Sequence, residues 1–377
     1  MSIPFNRPVL AGKELEYIEE AVNRGHLAGD GAFTELCQRW LANFIEVPAV
    51  LLTHSCTAAL EMAAILVGIE PGDEVVMPSF TFVSTANAVV LRGGTPVFVD
   101  IRQDTLNIDE ELIEAAITPR TKAIFPIHYA GVPAEMNRIN DLAKRHDLFV
   151  VEDAAQALGS KYHARSAGSL GHLAAFSFHE TKNIVSGEGG ALAINDQALI
   201  ERAEIIREKG TNRKKFLRGQ VDKYTWVDLG SSFLPSELVA AFLFGQLEQI
   251  DAIQKDRIAT WKIYDAALKP FHNRGLHTPI IPPNCEHNAH MYYVIMPSLE
   301  LRQDLISRMK ADGITTPFHY VPLHSAPAGL RLARTSGPMA HTEDLSGRLV
   351  RLPLYPQMGD AVERVRDRLV LNLDQLL

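Results

Sequence analysis

The chain has 377 residues, 46% of them hydrophobic and 22% charged, with a formal net charge of −8 when histidines are neutral. This is the make-up of a soluble globular protein with room for two or three domains. The negative balance argues against general nucleic-acid binding, while leaving room for an anionic small molecule held by a local basic cluster.

Cys37, Cys56 and Cys285 are odd in number and widely spaced, so they form neither a disulfide framework nor a zinc pattern. A reduced, cytoplasmic setting fits them best. The opening residues lack the apolar core of a signal peptide. The longest apolar stretch, Leu238–Leu247, is too short to cross a bilayer and contains Gln246.

In chain order, Gly12–Arg24 reads as an amphipathic helix, Val50–Thr53 as a strand and Thr57–Val67 as the helix after it. The same alternation continues with strand Glu74–Met77, helix Ser84–Arg92, strand Thr95–Asp100, helix Asp109–Ala116, strand Ala123–Ile127, helix Met136–His146 and strand Phe149–Glu152. This rhythm predicts a mostly parallel sheet with helices on both faces. Ligands in such sheets collect at the carboxyl ends of the strands. Residues Leu238–Leu268 read as one long or broken helix leading into a smaller domain. That domain is expected to hold strand His290–Met296, helix Arg302–Ala311, strand Thr315–His319 and final helix Asp360–Leu376.

Three segments could carry chemistry. Thr53-His54-Ser55-Cys56-Thr57 joins a strand to a helix, and the free amides and partial positive charge of a helix N-terminus suit a phosphate. An ordinary N-cap would look the same. Phe149-Val150-Val151-Glu152-Asp153 is a buried strand ending in two carboxylates. One of them, Asp153, is placed to pair with a cationic ring nitrogen, while Glu152 should face the other way; a helix cap or a ribose-binding acid are the alternatives. Ala174-Ala175-Phe176-Ser177-Phe178-His179-Glu180-Thr181-Lys182-Asn183 is an apolar strand running into a loop with one lysine, able to form an imine if its amine loses a proton. Alone, Lys182 would be a solvated loop lysine. The order, with Lys182 about thirty residues after Asp153, is what gives the set meaning.

Together with Pro71-Gly72-Asp73-Glu74-Val75, Pro78-Ser79-Phe80-Thr81-Phe82-Val83-Ser84-Thr85, Pro126-Ile127-His128-Tyr129-Ala130-Gly131 and Val151-Glu152-Asp153-Ala154-Ala155-Gln156, these segments resemble the fold-type I pyridoxal-phosphate (PLP) enzymes. Within them, the resemblance is to the DegT/DnrJ/EryC1/StrS sugar aminotransferases, and it covers nearly the whole chain. It implies an α/β fold with a large PLP-binding domain, residues 1–245, built on a mostly parallel sheet flanked by helices, and a smaller C-terminal α+β domain, residues 246–377. It implies PLP as cofactor and Lys182 as its Schiff-base lysine and proton shuttle. Asp153 would sit on the pyridine nitrogen, Gln156 near the ring hydroxyl and Phe82 on the ring face. The amides of Cys56 and Thr57 and the hydroxyl of Ser177 would hold the phosphate.

His319 and Tyr320 fall in a segment that in the family borders the substrate pocket. Arg213 belongs to a basic segment, Arg207–Arg218, that can either grip a diphosphate or lie as a solvated charged loop. His319 and His324 have no carboxylate or cysteine partner nearby in sequence, so no metal site is expected. His179, His287 and His290 read as structural. The implied reaction moves an amino group from L-glutamate to the 4-keto carbon of dTDP-4-dehydro-6-deoxy-D-glucose in a ping-pong cycle, in a homodimer with sites at the interface.

Three positions depart from the family pattern: Cys56 replaces a usual glycine, Phe82 a frequent tryptophan, and Leu234 stands where many members carry an asparagine that reaches the partner's phosphate, with Ser232 as a substitute. The competing readings are a related aminotransferase for another keto-sugar, a PLP sugar dehydratase, which Lys182 argues against, and a non-catalytic PLP-binding protein. A nicotinamide oxidoreductase would need a G-x-G-x-x-G after the early strands, and none is present.

Overall fold

Short apolar runs punctuated by helices build one large sheet in the computed structural model, which describes residues 2–377. Helices α1 (Glu14–Asn23) and α2 (Ala32–Ile45) precede β1 (Ala49–Thr53), α3 (Cys56–Leu66), β2 (Glu74–Pro78), α4 (Val83–Val90) and β3 (Thr95–Val99). Then come α5 (Glu110–Ala116), β4 (Thr121–Ile124), α6 (Met136–Arg145) and β5 (Phe149–Asp153). A short hairpin, β6 (Lys161–Tyr162) and β7 (Arg165–Ser166), leads to β8 (Leu173–Ser177) and β9 (Gly190–Ile194).

The sheet runs β1-β9-β8-β5-β4-β2-β3. The links from β8 through β3 are parallel, and β9 is antiparallel to both its neighbours. The reversal follows from the connection: loop 178–189 between β8 and β9 holds no helix, and its base continues the antiparallel ladder through Phe178 N–H to the Gly189 carbonyl. Strand residues alternate between two cores. Leu51, Val151, Ala175 and Leu192 pack under α3, whereas Leu52, Ala174, Phe176 and Ala193 pack under α2 and the later helix α9 (Glu237–Leu247).

Between β9 and α9 lie α7 (Ile200–Arg207) and α8 (Arg213–Leu217). The expected long helix is broken: α9 stops at Leu247 and α10 (Ile250–Leu268) starts three residues on. Glycine is required at Gly245, where a Cβ would stand 2.8 Å from the Glu14 amide, so α9 and α1 meet backbone to backbone.

The remaining chain forms β10 (Cys285–Glu286), β11 (Tyr292–Ile295), α11 (Leu299–Ala311), α12 (Gly329–Leu332), β12 (Arg334–Thr335), α13 (Ala340–Arg348), β13 (Leu349–Leu352) and α14 (Ala361–Leu376). Trp261, Tyr264, Tyr292, Val350 and Leu369 share its core with Ile3 from the other end of the chain. The two parts interlock, because β12 pairs in parallel with β3 at the edge of the large sheet.

The strand expected at Thr315–His319 is absent. Thr315 N–H donates to the Ile3 carbonyl, and the Pro317 carbonyl accepts from Arg351 N–H. Pro317 has no N–H of its own for a ladder, so the segment lies across the structure with isolated bonds. The pairing partner of β11 is instead β13, antiparallel from Tyr292↔Leu352 to Ile295↔Leu349. Among the described residues, no helix is long and apolar enough to cross a membrane.

Candidate active site

The turn between β1 and α3 opens into a cavity of about 620 Å³. Ser55 is the N-cap in extended conformation, and its hydroxyl accepts from Ala58 N–H at 3.1 Å. The next two amides, of Cys56 and Thr57, carry no acceptor among the described residues, as the first helical turn dictates. Gly190 makes the close approach possible: a Cβ there would stand 2.4 Å from the Cys56 nitrogen. The resulting cradle of free donors at the positive end of α3 suits an anion. Burial pushes the Cys56 thiol well above its ordinary range, so the side chain adds no charge.

β5 delivers the two carboxylates to opposite faces, as strand geometry requires. Asp153 looks into the cavity. Its Oδ2 accepts from the Thr85 hydroxyl at 2.6 Å and its Oδ1 from Ala155 N–H at 3.2 Å. Glu152 is wholly buried on the other side, bonded to His128 Nε2 at 2.8 Å and to the amides of Gly168, Leu170 and Gly171. Its role is to fasten the loop after β7.

Lys182 sits in the β8–β9 loop. The base of that loop is a continued hairpin, Phe178 N–H to the Gly189 carbonyl and Ser186 N–H to the Phe178 carbonyl. The side chain is half-buried in the cavity wall and forms no salt bridge among the described residues. Burial lowers its pKa from the ordinary lysine value; the nearby Arg351 cation pushes the same way, against Cys56 and Asp153. Neutral amine is the form that attacks a carbonyl.

Gln156 is held at both ends, its Oε1 accepting from Ala130 N–H at 2.7 Å and its Nε2 donating to Tyr320 Oη at 2.9 Å. His319 stacks on Tyr320 at 3.6 Å between ring centroids and hydrogen-bonds the Tyr129 hydroxyl through Nδ1 at 2.7 Å. Phe82, at the N-cap of α4, leaves 56% of its surface exposed at the cavity and lies 6.2 Å from the Tyr320 ring. Ser177 lines the same space at the end of β8.

Arg213 is not brought to this cavity; it starts α8 and pairs with Glu208 at 3.5 Å. Its neighbours are paired too: Arg207 and Lys214 with Asp30, Lys215 with Glu201, Arg218 with Glu204. Leu234 packs on Gly29, and exposed Ser232 is bridged to Glu208 next to Phe233, whose carbonyl accepts from His54 N–H.

The sequence reading missed Thr85, Arg351 and His290. Thr85 lies in the Pro78–Thr85 motif, where no local pattern marks it as the support of Asp153. Arg351 is an arginine in the apolar run of β13, which is itself a signal. His290 lines the cavity and bonds Asn183 Oδ1 at 3.0 Å. Its burial, aided by Lys182 and Arg257, holds it well below the ordinary histidine range, hence neutral.

The profile of the DegT/DnrJ/EryC1/StrS aminotransferase family matches residues 8–370. The chain belongs to this family. It is 34% identical over 382 residues to the spore coat polysaccharide biosynthesis protein SpsC of Bacillus subtilis, covering 97% of this chain and 96% of that protein. It is 33% identical to the GDP-perosamine synthase of Caulobacter vibrioides, covering 98% and 97%. Among solved structures, DesV of S. venezuelae, in complex with a ketimine intermediate, superposes with a TM-score of 0.89 at 33% identity over 99% of both chains. Aminotransferase TlmJ from Streptoalloteichus hindustanus gives 0.92 at 30% identity over the full length of both.

The DegT/DnrJ/EryC1/StrS enzymes are PLP-dependent sugar aminotransferases, and so is this chain. Its own residues fit that cofactor. Free amides form an anion cradle at α3, a buried carboxylate ends β5, an uncovered aromatic ring faces the cavity, and a lysine of lowered pKa stands in its wall.

Proposed function

We propose that the enzyme transfers an amino group from L-glutamate to the 4-keto carbon of dTDP-4-dehydro-6-deoxy-D-glucose, giving the 4-amino-4,6-dideoxy-D-galactose nucleotide for cell-surface polysaccharide. What carries the aminotransfer chemistry is the convergence of Lys182, Asp153 and the α3 N-terminus on one cavity. The finer choice of sugar is supported by three long runs, Phe178–Asn183, Glu204–Arg213 and Arg218–Trp226. They resemble the dTDP-4-amino-4,6-dideoxygalactose transaminase of enterobacterial common antigen synthesis. The likeness to a GDP-perosamine synthase supports a nucleotide-linked keto-sugar.

When bound, the cofactor supplies an electron sink for the pair left on the substrate carbon after its proton departs. The amides of Cys56 and Thr57, with the Ser177 hydroxyl, hold its phosphate. Asp153, oriented by Thr85 and Ala155 N–H, holds the positive charge on the ring nitrogen. Phe82 would restrain one face of the cofactor ring and Gln156 would hold its hydroxyl. Lys182 Nζ takes and returns the proton. His319 and Tyr320 border the substrate. Arg213 belongs to a charged face that a second subunit would complete; we read the enzyme as a homodimer, with the segment around Ser232 and Leu234 facing the partner's site. Three free cysteines suit a cytoplasmic setting.

The direct test incubates the PLP-loaded protein with L-glutamate and a panel of dTDP- and UDP-keto-sugars. Formation of 2-oxoglutarate with the 4-keto-6-deoxyglucose nucleotide, and a 4-amino product by NMR, is expected. Amination of a different member of the panel would overturn the sugar assignment, and binding without 2-oxoglutarate would overturn catalysis.

A pH dependence follows from Lys182. A lysine of lowered pKa is deprotonated, and reactive, at a lower pH than a free one. Capture of added PLP by the apoprotein should therefore rise with pH and level off below the ordinary lysine value of 10.5. An inflection at or above that value in the absorbance titration would contradict the environment described.

A further inference from the structure

His290 is a buried ring with one nitrogen committed and the other open. Its Nδ1 lies 3.0 Å from Asn183 Oδ1. The Asn183 amide cannot turn round, because its Nδ2 donates to the Asn288 carbonyl at 2.8 Å. An amide oxygen only accepts, so the hydrogen of the ring sits on Nδ1. Burial beside cationic neighbours keeps the ring neutral, which leaves Nε2 as a bare lone pair. Nε2 has no partner among the described residues and is not sealed off from the cavity that His290 lines.

The backbone behind the ring is fixed with equal care. Arg257, 1% exposed, donates through Nε to the Ala289 carbonyl at 3.1 Å and through Nη2 to the His290 carbonyl at 2.6 Å. Ala289 takes a φ of 50°, a left-handed conformation unusual for alanine. His290 N–H donates to Asn288 Oδ1, and Asn288 Nδ2 donates to the carbonyls of Gln156 and Leu158. What these contacts fix is the direction of Nε2. Asn183, which holds the other edge of the ring, is the residue next to Lys182. Among the charged groups around His290, Lys182 acts most strongly, ahead of Arg257, His319 and Arg351. The Lys182 amine has no hydrogen-bond partner among the described residues and lines the same cavity.

We propose that His290 is a positioning residue for Lys182: its Nε2 accepts a hydrogen bond from the lysine amine and holds it in line while the amine carries the substrate proton. The inference rests on the proposed role of Lys182 as proton carrier. A lysine has a flexible stem and an amine with rotatable donors. One N–H tied to a fixed acceptor leaves the lone pair, or after protonation a second N–H, aimed at the reacting carbon. His290 takes up no proton, and no covalent bond of its own forms or breaks. Neutrality suits the task, since a carboxylate in its place would hold the protonated amine too firmly to release its proton. Cys56, Asp153 and Arg351 also act on Lys182, but none of them hydrogen-bonds its amine in this structure.

The test has a part without cofactor and a part with it. In apoprotein carrying nitrogen-labelled histidine, NMR should show an unprotonated Nε2 signal that His290→Leu removes, and that signal should move in Lys182→Ala. The pH midpoint for capture of added PLP should fall by about one unit in H290L, since an acceptor stabilises the charged amine, and H290Q, which keeps a neutral acceptor, should restore it. In the PLP-loaded enzyme, H290L should slow the half-reaction with L-glutamate about tenfold or more in kcat with little change in KM. The pyridoxamine-phosphate form with the keto-sugar should slow alike, because Lys182 serves both halves, and H290Q should recover both. An Nε2 signal indifferent to Lys182→Ala would overturn the contact. A loss confined to one half, or a rise in KM alone, would overturn it in favour of a contact to that substrate. H290Q no better than H290L would overturn the acceptor role. If the parent fails to respond to glutamate, the donor reading falls, while the NMR and capture titrations still decide the contact between His290 and Lys182.

Discussion

Lys182→Ala should abolish transamination while leaving the fold intact. The side chain supplies both the amine that captures the cofactor and the base that moves the substrate proton. Loss of general acid–base catalysis alone accounts for about 10²–10⁴-fold, and the nucleophile is lost with it, so turnover should fall by at least about 10⁴-fold. The visible absorbance of the bound cofactor should shift to that of free PLP. Borohydride reduction should label Lys182 in the parent and nothing in the variant, as peptide mass spectrometry would read. Stability should move the other way. Lys182 has no ion pair to lose, and burial opposes its charge. The apo variant should therefore melt no lower than the apo parent. Retained turnover would remove Lys182 from the mechanism, and a collapsed melting temperature would show it to be structural.

Much of this was legible in the sequence because it is local. β2, β5 and β8 are short apolar runs ended by polar residues, and each appears within a residue or two of its expected place. The opposed facing of Glu152 and Asp153 follows from the two-residue period of a strand. What failed was non-local. The Thr315–His319 segment has an alternating look, but Pro317 and the pull of Ile3 and Arg351 break the ladder. β12 is two residues long, and only its pairing with β3 makes it a strand. Arg213 looked like an anion clamp because the sequence shows a crowd of cations. The acids that occupy them sit on α7, at Glu208 just past its end and, in the case of Asp30, far back in the chain. Arg351 and His290 enter the site through the pairing of β11 with β13, which has no signature near Lys182.

The adjacent carboxylates of β5 make the sharpest contrast. Glu152→Ala should unfold the protein far more readily, because it strips His128 Nε2 and three backbone amides of their acceptor in a site closed to water. Removing one partner of a buried charged network typically costs about 3–5 kcal/mol, and Gly168, Leu170 and Gly171 would each be left with an unpaired donor. Equilibrium denaturation of the apoprotein should show a loss of that order. Asp153→Asn keeps the shape and can still accept from Thr85, so its unfolding curve should stay close to the parent's. It removes the charge opposite the ring nitrogen, and turnover should fall by on the order of a hundredfold or more, as for other preorganised electrostatic contacts in closed sites. The two variants thus exchange phenotypes across one peptide bond. A stable Glu152→Ala protein would mean that the loop after β7 is held by other contacts. An Asp153→Asn enzyme with parental turnover would mean that the ring nitrogen needs no carboxylate here.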